Sequence, residues 1–127
     1  MRLELKAITT DSAPAAIGPY SQAIRAGDWL FVSGQIPIPP GGGAIPEEFD
    51  QQVQQVLANL QAILQAAGAD LSRVVKVNVY LTDLQNFAKF NEIYASFFGT
   101  HRPARAVVEV AELPRGVKVE IEAVAAL

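Results

Sequence analysis

Apolar residues recur along this chain with two periods, and the switches between them mark out its elements. Leu3, Leu5 and Ala7 alternate with Arg2, Glu4 and Lys6, which predicts a first strand over 2–8. A loop follows from Thr9 to Pro19. Residues 20–26 and 29–33 flank a Gly27-Asp28 turn and read as a hairpin. The Gly- and Pro-rich stretch 34–46 reads as a long irregular loop, the most flexible part of the chain. The period then changes. Val53, Val56, Leu57, Leu60, Ile63, Leu64 and Ala67 form the apolar stripe of a helix that opens after Glu47-Glu48 and stops at Gly68. Residues 74–81 predict a strand with Val75, Val77, Val79 and Leu81 on one face. Thr82 or Asp83 caps a second helix, whose stripe is Leu84, Phe87, Phe90, Ile93, Tyr94, Phe97 and Phe98 and whose end is Gly99. Strands over 104–110 and 117–124 close the chain around a turn at Pro114-Arg115-Gly116.

The order β-β-β-α-β-α-β-β predicts an α+β domain spanning residues 1–127, with one sheet and two helices packed on one face. The other face is informative. Trp29, Phe31 and Ser33 share one parity of their strand and Leu30 and Val32 the other, so both sides are apolar. In the last strand Val119, Ile121 and Ala123 oppose Lys118, Glu120 and Glu122. A second face mixing aromatics with a few charges predicts contact with another subunit; the plainer alternative is a solvated face with stray aromatics.

Composition narrows the chemistry. The 127 residues are 50% hydrophobic and 18% charged, enough for a real core. There is no cysteine, which removes disulfides, thiolate nucleophiles and Cys-type metal sites, and the single His101 forbids a multi-His metal centre. A formal charge of −3 argues against a nucleic-acid binder. Residues 29–46 hold four prolines and four glycines, and residues 51–69 carry six glutamines and Asn59, so neither stretch spans a membrane. With no signal-peptide block, a soluble and most simply cytoplasmic protein is expected.

Carboxylates, arginines, hydroxyls and backbone remain. Alternation places Arg105 beside Val107 and Glu109, on the face expected to lie opposite the helices, where its guanidinium offers a fork for a carboxylate. An isolated strand arginine is more commonly a surface residue, and Glu120 alone more commonly a solvated carboxylate. If the last two strands pair through 111–116, Glu120 falls level with Val107 and close to Arg105, a minimal hydrolytic site. Gly41-Gly42-Gly43 lacks the Lys-Ser/Thr of a phosphate loop. His101 suits a helix C-terminus better than general-base work. Arg102, Arg105, Arg115 and Lys118 would make at most a modest anion site.

Taken together, GPYSQA (18–23), LFVSGQIP (30–37), Pro103-Ala104-Arg105 with Val108-Glu109-Val110, and Leu113-Pro114 with Val119-Glu120-Ile121 resemble the reactive intermediate deaminase (Rid/YjgF) family, its RidA branch above all. The resemblance covers nearly the whole chain. It implies a chorismate-mutase-like fold with a mixed sheet, a homotrimer with inter-subunit clefts, and cofactor- and metal-independent hydrolysis of 2-aminoacrylate- and 2-aminocrotonate-type enamines and imines to 2-keto acids and ammonia. Position by position, it implies that Arg105 grips the substrate carboxylate and Glu120 handles the water. Tyr20, Ser33 and Asn91 line the cleft, and Gly34 lets backbone approach the ligand. Many relatives have Cys where this chain has Val107, whose backbone remains available to the ligand. Two other functions compete: a trimer that binds small carboxylates and regulates a partner without catalysis, and a ribonuclease or chaperone role.

Overall fold

The computed structural model describes residues 2–127. Six strands, β1 (Leu5–Ile8), β2 (Ala23–Ala26), β3 (Trp29–Gln35), β4 (Val74–Leu81), β5 (Ala104–Glu109) and β6 (Val119–Ala126), form one sheet in the order β1-β2-β3-β6-β4-β5. Helix α1 (Phe49–Ala66) joins β3 to β4, and α2 (Phe87–Phe98) joins β4 to β5. The β4–β5 pair is parallel, as a helical crossover requires, and every other pair is antiparallel. The element order and the one sheet with two helices are those the periodicity predicted, and the mixed pairing is the one the family resemblance implied.

The α1 stripe, Val53 to Leu64, is buried against Leu30 and Val32 of β3 and Val119, Ile121, Ala123 and Ala125 of β6, all on one sheet face. Phe90, Tyr94 and Phe98 of α2 complete the core. Gly68, at φ +81°, ends α1 in the left-handed region that a residue with a Cβ avoids. Asp83 accepts from the Gln85 N–H at 2.9 Å and caps the short 3₁₀ turn Leu84–Asn86 that leads into α2. The long 34–46 loop is tied to α1: the buried Asn59 side chain donates to the Ile36 and Ile38 carbonyls, and Gln52 to that of Pro46.

Three strand expectations need correction. Leu3 and Leu5 are exposed and β1 is shorter than 2–8, because this edge strand buries only Ile8. Tyr20 lies before β2, which starts at Ala23. In β4 a register shift between Val74 and Lys76 turns Val74 inward and leaves Val75 exposed; an irregularity of one residue breaks strict alternation.

The helix-free face is open in the single chain. Trp29 and Phe31 are 48% and 49% exposed there, together with Val108. Among the described residues no helix is long and apolar enough to cross a membrane.

Candidate functional site

The last two strands do not pair. After β5 the chain passes through a 3₁₀ turn, Pro114–Gly116, and returns as β6 on the far side of β4, so Tyr80 pairs with Glu120 on one side and Val108 on the other. Arg115 holds φ +62° at this turn, the only non-glycine at positive φ among the described residues. The expectation that Glu120 lies next to Arg105 through a β5–β6 hairpin is overturned by this inserted strand.

The second correction concerns faces. Arg105, Val107 and Glu109 do share a parity, but that parity faces α2. The Arg105 guanidinium carbon lies 4.8 Å from the Tyr94 ring centroid, 5.8 Å from that of Phe87 and 5.9 Å from that of Phe90. Three rings near one guanidinium hold it through cation–π attraction. Val107 packs against the core beside it, and Glu109 accepts from the Leu84 N–H at 2.9 Å. Asn91 lies on α2 within one turn of Phe87 and Tyr94. Its Oδ1 and the Tyr94 hydroxyl are buried without a hydrogen-bond partner among the described residues. Burial holds the Tyr94 hydroxyl above its ordinary pKa, although the Arg105 and Arg102 charges oppose the shift. The guanidinium, with no carboxylate paired to it among the described residues, suits an anion.

Glu120 sits on the opposite, helix-free face and borders a cavity of about 390 Å³, whose wall includes Ile17, Tyr20, Gly34, Ile36, Ile38 and Arg115. Gly34 makes this possible. A Cβ there would overlap Glu120 Oε2 and approach its Cδ to 2.9 Å, so the glycine accommodates the carboxylate itself, the space the sequence reading assigned to a ligand. Burial raises the Glu120 pKa, and the Glu122 charge raises it further. Ser33 lies beside the cavity, but its hydroxyl already donates to the Ser21 carbonyl at 2.6 Å. One wall is fixed by the buried Gln22, which accepts from the Thr10 N–H at 2.7 Å and donates to the Thr10 and Pro14 carbonyls.

The anticipated residues therefore fall into two groups. Tyr20, Gly34 and Glu120 border one cavity, with Ser33 next to Gly34 in β3; Arg105 and Val107 lie on the other face, toward α2, the helix that carries Asn91. Neither Arg105 nor Glu120 has an ion-pair partner among the described residues. Phe87, Tyr94 and Gln22 were not anticipated at the site. The two rings belong to the helix stripe, and nothing in the sequence distinguishes a ring under a guanidinium from a core ring. The other cations do not converge with Arg105 into an anion site: Arg102 donates to the Gly99 and His101 carbonyls, and Lys118 to that of Glu47. His101 Nε2 lies 2.7 Å from the Val74 carbonyl and ties the end of α2 to β4. No group of three or more His, Asp or Glu side chains among the described residues is arranged to hold a metal.

Comparison with known proteins adds relatives to this geometry. The family described as Endoribonuclease L-PSP matches residues 10–127. A RutC family protein of Pyrococcus horikoshii is 56% identical over 93% of this chain and 94% of its own length. The 2-iminobutanoate/2-iminopropanoate deaminase of Salmonella typhimurium is 48% identical over 94% of this chain and 96% of its own. The crystal structure of Escherichia coli TdcF with bound serine superposes with a TM-score of 0.93 at 46% identity, covering 96% of this chain and 98% of that one.

Proposed function

Because the chain belongs to the family described as Endoribonuclease L-PSP, also called Rid or YjgF, we propose that it is a hydrolytic deaminase of reactive 2-enamine and 2-imine acids. Its substrates are of the 2-aminoacrylate and 2-aminocrotonate type, its products a 2-keto acid and ammonia. What carries this reading is an arginine over aromatic rings with no ion-pair partner among the described residues and, on the other face of the sheet, a carboxyl group of raised pKa at an apolar cavity. Arg105 binds the substrate carboxylate. The enamine tautomerises to the imine, water adds across C=N to give a carbinolamine, and C–N cleavage releases ammonia and leaves the ketone. Glu120 takes a proton from the attacking water and returns one to nitrogen, a contribution of about 10²–10⁴-fold. Tyr20, Gly34, Asn91 and the Val107 backbone shape the cleft.

Arg105 and Glu120 sit on opposite faces of one sheet, so a single chain does not offer both to one small molecule. The complete site is a cleft between two copies, with Arg105 from one and Glu120 from its neighbour, in a homotrimer. The exposed Trp29 and Phe31, and the unpaired outer edge of β5, give such a neighbour an apolar face and open backbone groups to meet.

Deamination is tested by generating 2-aminoacrylate with a serine or threonine dehydratase and following keto-acid release with and without this protein. Acceleration by wild type and loss in Glu120→Gln is expected. No acceleration above the spontaneous rate returns the protein to the second reading, a binder of small carboxylic acids, which the serine in the TdcF structure favours. The family's description speaks of RNA cleavage, but a formal charge of −3 supports a small-molecule role here.

A further inference from the structure

One polar cluster has no part in the chemistry above. On the helix-free face, Glu122 follows Glu120 by two residues along β6, so the two side chains point the same way about 6.7 Å apart along the strand. Glu122 Oε1 accepts from the Tyr80 hydroxyl and, at 3.3 Å, from Asn78 Nδ2. The register explains the clamp. Tyr80 lies directly opposite Glu120 and Asn78 directly opposite Glu122, so the tyrosine passes Glu120 and bonds diagonally to the second carboxylate. Bonding to Glu122 and burial push the Tyr80 pKa up to about 12, so its hydroxyl remains a donor throughout the physiological range. Glu120 receives no such donor. Its other neighbours are Gly34 on the β3 side, which supplies no side chain, Tyr20 and Arg115 around the cavity, and Lys118, two residues before it, whose ammonium donates to the Glu47 carbonyl. Lys76 faces the same side of β4, four residues from Tyr80.

We propose that Glu122, clamped by Tyr80 and Asn78, is a positioning residue for Glu120: it fixes a negative charge beside it and so makes Glu120 the one member of the pair that exchanges protons. Two carboxylates on one face do not ionise independently, so a carboxylate held in place beside Glu120 opposes its ionisation. The catalytic consequence rests on the deaminase reading; the division of labour within the pair does not.

The two parts are separated by experiment. With glutamate ¹³C-labelled at the carboxyl carbon, the Glu120 signal is assigned by its absence in Glu120→Gln and titrated by NMR. In Glu122→Gln the Glu120 midpoint is expected to fall by between about 0.5 and 2 pH units, the range for like charges at this separation in effective dielectrics of about 80 to 20. Tyr80→Phe, which removes a donor from Glu122, is expected to move it the same way by less. The acidic limb of the kcat profile for 2-aminoacrylate should shift with the midpoint. An unmoved midpoint overturns the proposal, even if Glu122→Gln lowers turnover at every pH, since that is what a merely structural role would do. If Glu122→Gln does not fold, the Tyr80→Phe titration decides by the same criterion. A wild-type protein without deaminase activity overturns the functional reading and leaves the titration to decide the pairing.

Discussion

The roles proposed for Arg105 and Glu120 rest on what each side chain touches. An arginine held against three aromatic rings loses less freedom when it binds a carboxylate than one extended into solvent. Arg105→Lys keeps the charge but not the fork, so we expect pyruvate and 2-ketobutyrate binding, followed by calorimetry, to weaken at least about tenfold. Glu120 presents the converse case. Its folded pKa lies above the unfolded value, so the proton is held more tightly in the native state. The associated stability is present at low pH and is lost as pH rises through the folded pKa. Glu120→Gln removes a half-buried carboxylate facing Glu122. Its urea midpoint at pH 7 should therefore exceed that of wild type at equal protein concentration, and the difference should vanish below the ordinary carboxylate range. A midpoint below wild type at pH 7 contradicts this account of Glu120. Stability gained where turnover is lost is the mark of a residue kept for chemistry.

The elements were largely legible in the sequence, and their pairing was not. The α1 and α2 stripes and the alternation in β3 and β6 are local, so periodicity alone found them and correctly put Trp29, Phe31 and Glu120 on the helix-free face. Strand order is non-local. A short turn after β5 suggests a hairpin, yet the parallel β4–β5 crossover leaves the gap between β3 and β4 for β6 to fill. That one choice separated Glu120 from Arg105. The face of Arg105 was misjudged for a related reason: alternation gives parity, but only the packing of α2 says which parity faces the helices. Gly34 shows what composition hides. Among nine glycines it alone would drive a Cβ into Glu120. Its φ is not in the left-handed region and the obstructing atoms end a flexible side chain, so Gly34→Ala should fold with little loss of stability. Turnover should fall by about tenfold or more as the carboxyl is displaced. Undiminished kcat would show that the position of Glu120 in this chain is not the one used.

At the scale of the whole molecule, the proposed site places Arg105 and Glu120 on opposite faces of one sheet and so calls for a second copy, to which the exposed aromatics of the open face offer a docking surface. Light scattering should report a trimer of this 13.6 kDa chain at micromolar concentration. Charged substitutions at Trp29 or Phe31 should release monomers and abolish turnover together, although neither residue borders the Glu120 cavity. A stable, fully active monomer excludes the shared cleft. Sharing also permits a sharper test, because a cleft that takes Arg105 from one chain and Glu120 from another can be repaired by mixing two defective chains. Arg105→Ala and Glu120→Gln proteins, each inactive alone, are unfolded together in equal amounts, refolded and assayed on 2-aminoacrylate. Random assembly gives about one cleft in four both native residues, so activity should return to about a quarter of wild type. If the mixture reassembles but remains as inactive as its components, the two residues do not meet across a subunit boundary, and the account of the site is wrong.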